Sequence, residues 1–276
     1  MCQFALDFCF RAVMAGRLSQ PGPDMPRYDF RTPRIYVDAP LHERATVPLD
    51  ATQANHLINV LRLKPADTVL VFNGRDGEWQ AFLRVTGKRS RILAVKTRTR
   101  SQQPAPDLHY LFAPLKHARL DYMVQKAVEM GASRLRPVLT QHVQVGRVNL
   151  DRMRANAIEA AQQCGILTLP EIYAPLTLDR VIATWEPGRL LVFCDEDAPV
   201  RDPVATLAQA RAAHATGAPS LAVLIGPEGG FAPEERTALA RLPNAVRLAL
   251  GPRILRADTA AVAALALVGA VLGDWR

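Results

Sequence analysis

Three short, strongly apolar runs in the second half of the chain, Leu190 to Cys194, Leu221 to Ile225 and Val246 to Leu250 (the last broken by Arg247), restrict the fold more than any other feature. A strand with one wet face alternates apolar and polar residues. Continuous apolar runs mark central parallel strands covered on both faces. Helical patterns surround them: Arg119 to Met130 with Gly131 in the C′ position, residues 151–163 opened by Asp151, and residues 257–272. With strands at Leu108 to Leu115 and Arg134 to Leu139, this alternation predicts an α/β domain around a largely parallel sheet.

Ahead of that domain the pattern differs. Arg34 to Val37 (RIYV) predicts a short strand. Thr52 to Leu63 predicts a helix, with apolar residues at 54, 57, 58, 60 and 61 and Thr52 as its N-cap. Thr68 to Phe72 and Glu78 to Val85 flank the turn Asn73 to Gly77, which predicts a hairpin, and Arg91 to Thr97 adds a strand. Together they suggest a small β-barrel over residues 34–102. Gln102 to Pro106 (QQPAP) links it to the α/β domain at 107–276. Residues 1–33, Pro-rich from 20 onward, are expected to be poorly ordered, and Met25 is an alternative start of translation that an intact mass beginning at Met1 would overturn.

Charge sorts with these domains. Residues 34–100 hold 12 Lys/Arg against 6 Asp/Glu, so +6 of the net +8 lies in about a quarter of the chain. Arg84 to Arg100 alone holds seven basic residues and no acid. Such a surface attracts phosphates and makes binding salt-dependent. A solvated edge strand guarded by charge is the rival reading of that segment taken alone. The four cysteines, Cys2, Cys9, Cys164 and Cys194, show no CxxC and no zinc spacing with the six histidines. They read as small apolar residues of a reducing compartment, and no metal is expected. Ala260 to Gly273 is too short to span a bilayer, and the N-terminus, broken by Asp7 and Arg11, is a poor signal peptide. A cytoplasmic protein without a membrane partner is expected.

Ligands of open parallel sheets sit beyond the carboxyl ends of the strands. Two of the three apolar runs end there in Gly-Pro loops. Leu221 to Ile225 runs into Gly226-Pro227-Glu228-Gly229-Gly230, whose glycines allow a sharp bend and close backbone approach. The next helix opens with Pro233, Glu234 and Glu235 behind an Ala232 cap that has no side-chain acceptor. Acids at that position disfavour phosphate, no Gly-Lys-Ser/Thr follows, and no GxGxxG opens a βαβ unit. Nucleoside triphosphate and dinucleotide sites are excluded. Val246 to Leu250 runs into Gly251-Pro252-Arg253-Ile254-Leu255-Arg256, with Asp258 or Thr259 to cap the last helix. Two such loops on adjacent strands predict a backbone-lined pocket.

The order LIGPEGGF then LGPRILRADTA resembles the SPOUT-class RNA methyltransferases, and among them the RsmE family, which methylates N3 of a uridine in 16S ribosomal RNA. The likeness runs from Arg34 to the C-terminus. RIYV matches the family's opening strand, His56 to Lys64 (HLINVLRLK) its N-terminal helix motif, and Leu115 to Gly131 (LKHARLDYMVQKAVEMG) the stretch where a Lys precedes a helix with Gln-Lys. One segment departs: the family's Glu-Gln-Cys-Gly-Arg stands here as Gln162 to Ile166 (QQCGI). The resemblance implies a SPOUT-type domain with a deep trefoil knot, a PUA-like RNA-binding barrel before it, and a homodimer through helices of the knotted domain. It also implies a bent S-adenosylmethionine held by the knot loops.

On that resemblance the cofactor contacts fall on Leu224, Ile225, Gly226, Glu228, Gly229, Gly230, Leu250, Gly251, Ile254, Leu255, Arg256 and Thr259. The RNA contacts, mostly to phosphate, fall on Arg34, Arg62, Lys64, Arg84, Lys88, Arg89, Arg91 and Arg98, with the small ribosomal subunit and its 16S rRNA as partner. Attack by uridine N3 requires loss of its proton. Arg256 is the candidate to stabilise the anionic ring, with bonding to loop carbonyls as its alternative role. Arg253 reads as structural or RNA-facing, and Glu228 as touching the cofactor's amino end or capping a turn. His117 and His142 are conceivable bases, a surface or core role being commoner, and no general base stands out. The rivals are a SPOUT enzyme with another target, such as ribose 2′-O, and a non-catalytic RNA-binding module, which the intact loops argue against.

Overall fold

The structure is a computed structural model that describes residues 31–86, 90–200, 202–213 and 220–275. The expectation for residues 1–33 therefore lies, but for its last three residues, outside the described residues.

The first sheet contains β1 (Arg34–Tyr36), β2 (Thr46–Pro48), β3 (Thr68–Phe72), β4 (Glu78–Thr86) and β5 (Ser90–Arg100), in the order β1-β3-β4-β5-β2. β1 is parallel to β3 and the other pairs are antiparallel. Alternation along the strands points Val69, Val71, Ala81, Leu83, Leu93 and Val95 into one small core. The β3–β4 turn forms as the sequence predicts. Asn73 Oδ1 accepts from the backbone N–H of Arg75 and Asp76, at 3.1 and 2.9 Å. Gly77 (φ +83°) is obligatory: a Cβ there would lie 2.3 Å from the Arg100 carbonyl oxygen.

The expected helix over Thr52 to Leu63 is corrected in three ways. It is α1 (Ala51–Asn55) continued by a wide π-helical turn over His56–Val60. Its cap is Asp50, not Thr52: Asp50 Oδ1 accepts from Gln53 N at 2.7 Å while Gln53 Oε1 accepts from Asp50 N at 3.1 Å, a capping box. The π turn also rotates the apolar stripe, so Leu57 is buried whereas Val60 and Leu61 are exposed.

The second sheet is parallel throughout. It contains β6 (Leu108–Phe112), β7 (Arg134–Leu139), β8 (Glu171–Ile172), β10 (Leu190–Cys194), β11 (Leu221–Ile225) and β12 (Ala245–Leu248), in the order β12-β10-β11-β6-β7-β8, with β9 (Leu176–Thr177) paired to β7. On one face lie residues of α2 (His117–Glu129), α3 (Leu150–Cys164), α5 (Pro203–Ala213) and α7 (Ala257–Val271), and on the other those of α4 (Leu178–Ala183) and α6 (Pro233–Ala240). In β11, Leu221, Val223 and Ile225 enter the first core while Ala222 and Leu224 enter the second. That double burial is why the run has no polar member.

Val246 to Leu250 is not a third central strand. β12 is shorter, lies at the sheet edge, and buries only Leu248. Nor are the two loop-bearing strands adjacent, since β10 separates β11 from β12. α3 is capped by Asn149, whose Oδ1 accepts from Arg152 N at 2.9 Å, and not by Asp151. α7 has no side-chain cap: Arg256 occupies the N-cap position, and Asp258 reaches only the N–H of Thr259. Gly131 (φ +84°) follows α2 as expected.

Residues 101–107 carry no regular structure and join the two sheets. Beside them, Tyr36 N donates to Gln162 Oε1 at 2.8 Å and Arg100 donates to the Gly165 carbonyl at 2.6 Å. The QQCGI segment that departs from the family pattern thus forms a seam between barrel and α/β domain.

Candidate active site

The carboxyl ends of β6, β7, β10, β11 and β12 converge on one edge of the α/β domain. After β11, Gly230 N donates to Pro227 O at 2.9 Å, closing the GPEGG turn, and Gly230 takes φ +70°. A Cβ on Gly226 would lie 2.9 Å from the Phe231 ring, so the turn cannot relax outward around a larger residue. His142, from the segment after β7, braces it: Nδ1 lies 3.2 Å from Gly229 O and 3.1 Å from Gly230 O. Glu228 pairs with Arg119 at the start of α2. Ala232 offers the first turn no side-chain acceptor, and Glu235 reaches back instead, taking the N–H of Ala232 at 2.9 Å and of Gln141 at 2.8 Å. Between these segments lies a cleft of about 290 Å³ bordered by Leu115, Lys116, Arg119, His142, Pro227 and Glu228.

The end of β10 fills the space between the two Gly-Pro loops, a contribution the sequence reading missed. The Asp195 carboxylate is fully buried. It accepts from Arg247 Nε of β12 at 2.7 Å, lies 3.4 Å from Arg236 Nε of α6, and accepts from Asp197 N at 3.1 Å. Arg236 also pairs with Glu196, at 2.7 Å, and with Asp197. One buried acid therefore ties the helix after GPEGG to the strand before LGPRILR. The only signal was an Asp-Glu-Asp run directly after a buried strand. Cys194, next to it, has its thiol pushed up to about 12 by burial and secondarily by Asp195, so it packs as a neutral group.

In the second loop Gly251 (φ +93°) faces open space, with nothing within 4 Å of where a Cβ would stand. Ile254 is 92% exposed and Arg253 and Arg256 are exposed, while Leu250 and Leu255 pack against the first core. Thr259 is exposed on the first turn of α7. An open main-chain cradle beside an uncovered apolar side chain suits a ligand with an apolar ring and polar edges, as S-adenosylmethionine is. Leu224 and Ile225 are corrected in part: both side chains are core residues, and the Ile225 carbonyl already accepts from Ala113 N at 2.9 Å.

Of the expected RNA contacts, Arg34 is overturned. Its side chain is 4% exposed and its Nε donates to Glu78 Oε2 at 2.7 Å, with Glu78 equally buried. Burial pulls the Arg34 pKa below its ordinary value and the Glu78 carboxylate opposes that pull. A guanidinium so enclosed has no face for phosphate. Arg62, Lys64, Arg84 and Arg98 are exposed and Arg91 is half-buried. Lys88 and Arg89 lie outside the described residues.

A barrel carrying a basic strand, set before a parallel α/β domain with glycine loops at its strand ends, has the organisation of an RNA-modifying enzyme. The chain belongs to the RNA methyltransferase family: the family model described as an RNA methyltransferase domain matches residues 101–269, and that of an RNA methyltransferase PUA domain matches residues 49–95. A ribosomal RNA small subunit methyltransferase E of Rickettsia conorii is 29% identical over 236 residues, covering 85% of this chain and 94% of the relative. Its counterpart in Synechocystis is 29% identical over 231 residues, covering 83% and 74%. A methyltransferase of Legionella pneumophila, solved with bound SAM, superposes with a TM-score of 0.73 at 26% identity, covering 88% of this chain and 99% of that one. The small-subunit methyltransferase E of Neisseria gonorrhoeae shares the fold, with a TM-score of 0.75 at 24% identity over 89% and 100%. The fold is a PUA domain followed by a SPOUT-like methyltransferase domain.

Proposed function

We propose that the protein uses S-adenosylmethionine to methylate N3 of a uridine in the 16S rRNA of the small ribosomal subunit. The observation that carries this is the convergence of GPEGG and LGPRILR at the strand ends of a domain of the RNA methyltransferase family. The bound cofactor supplies an electrophilic methyl group. The main chain at Gly226, Gly229, Gly230, Leu250, Gly251 and Leu255, together with Ile254 and Thr259, holds it. Glu228 stands beside it, oriented by Arg119. Arg256, exposed at the mouth of α7 without a carboxylate partner among the described residues, stabilises the deprotonated base. Exposed basic residues of the barrel grip phosphate.

The insertion of β11 between β6 and β10, with α7 returning from edge strand β12 to α2, supports the threaded path of a knot. The same reading makes the enzyme a cytoplasmic homodimer, which sedimentation of the purified protein checks. No helix among the described residues is long and apolar enough to cross a membrane. The test of function is incubation of unmethylated small subunits with labelled cofactor, followed by mapping of the product. N3-methyluridine at one 16S site is expected; a 2′-O-methyl product, or none, overturns the assignment.

A further inference from the structure

We infer that His142 is the general base that removes the N3 proton of the target uridine, an assignment that rests on the function proposed above. Its Nδ1 lies within hydrogen-bond distance of two carbonyl oxygens, Gly229 O and Gly230 O, which are acceptors only. Nδ1 must therefore carry the hydrogen, and the neutral ring keeps its lone pair on Nε2. The bracing contact that fixes the tautomer also anchors the ring to the cofactor loop.

His142 borders the cleft of about 290 Å³, whose other walls, Lys116 and Arg119, bring positive charge to where an RNA strand would enter. Charged groups near the ring are Lys116 and Arg119 from the β6–α2 segment, Glu228 from GPEGG and Glu235 from α6, with Glu196 and its partner Arg236 on the far side of Gly230. Arg119 is paired with Glu228, and Glu235 is occupied by the N–H groups of Gln141 and Ala232. Among the described residues no carboxylate is hydrogen-bonded to the ring. The N3–H bond breaks, its proton passes to Nε2, and the electron pair left on N3 is the nucleophile. The imidazolium then returns the proton to water.

Asparagine tests the role, because its amide N–H can replace the Nδ1–H donor while offering no basic nitrogen. In H142N the cofactor affinity, read by calorimetry, stays within about threefold of the wild type, and kcat on unmethylated small subunits at neutral pH falls about a hundredfold. Wild-type kcat rises with pH through one ionisation and levels off. In H142N it keeps climbing as the uridine loses its proton to solvent base. Nitrogen-15 NMR of the wild-type protein alone shows His142 protonated at Nδ1 and bare at Nε2. An unchanged pH profile and rate in H142N, or a proton on Nε2, overturns the assignment. If H142N also loses cofactor binding, the ring serves only to brace the loop and the inference fails. Failure of the functional reading is separate: the wild type itself would then yield no N3-methyluridine.

Discussion

Arg34 shows how far a single residue's meaning depends on a partner the sequence does not reveal. By composition it is one more cation in a basic domain; in the fold it is enclosed with Glu78, 44 positions away, to which Thr99 Oγ1 also donates at 2.9 Å. Removing one member of a buried pair strands the other's charge, at a cost of about 3–5 kcal/mol. Glu78 keeps Arg100 Nε at 3.8 Å, so Arg34→Met should lower unfolding free energy by less than that full cost in urea titrations, by about 2 kcal/mol, while the salt dependence of RNA binding by the folded fraction stays unchanged. His109 of β6 carries a second residue-scale prediction. Burial first, then Arg189 and Arg134, lower its pKa to about 4, and these outweigh Asp107 and Glu186, which act to raise it. A depressed histidine contributes stability that is complete above its unfolded pKa of about 6.5 and is lost as pH falls from there toward 4. Unfolding free energy should drop by about 2 kcal/mol over that window, and His109→Gln should flatten the slope. A slope unaltered in the variant would assign the loss to other groups.

Elements were legible where a local rule decides them. β10 and β11 fall where the apolar runs place them, because a strand covered on both faces needs no partner to be recognised. Caps and edges were less legible. Asp50 and Asn149 cap their helices in place of Thr52 and Asp151, each two positions upstream, because several side-chain acceptors compete at each helix start. β12 carries Arg247 in its middle and so is less apolar than β10 and β11, but its place at the edge is decided by crossovers and not by composition. The site suffers most from that limit: GPEGG and LGPRILR are readable as loops, whereas the β10 end that separates them is identified only by the order of the sheet. Asp195 is the test. Asp195→Asn keeps the shape and removes the charge that Arg236 and Arg247 share, so stability should fall by about 3 kcal/mol. If the network sets the spacing of the two loops, the Kd for S-adenosylmethionine should also rise at least about tenfold, which in binding free energy is about 1.4 kcal/mol. A stability loss with unaltered cofactor affinity would confine Asp195 to folding.

At the scale of the molecule, the barrel and the α/β domain are joined by a seam in which Gln162 and Gly165 of α3's end meet Tyr36 and Arg100 of the barrel. Gln162 supplies through its amide oxygen the acceptor for Tyr36 N, so a neutral residue is sufficient for that bond at a position where the family carries an acid. On the proposed function, such a seam would hold the barrel's charge in a fixed orientation toward RNA whose target base enters the α/β domain. Phosphate contacts fix register and carry the salt dependence, whereas the strand-end site carries the chemistry. The two are separable by experiment. Arg62, Lys64, Arg84 and Arg98 are exposed on the barrel, away from both Gly-Pro loops in sequence. Replacing all four with Gln removes four cations, and if each meets a phosphate of single-stranded RNA the slope of log K against log salt should shrink by about 3. The cofactor Kd should not move, because no main-chain contact in the cradle is touched. At low salt the variant's KM for small subunits should rise steeply while kcat is retained. A variant with the wild-type slope would show that the electrostatic footprint lies elsewhere, with Lys116 and Arg119 of the cleft next to be replaced.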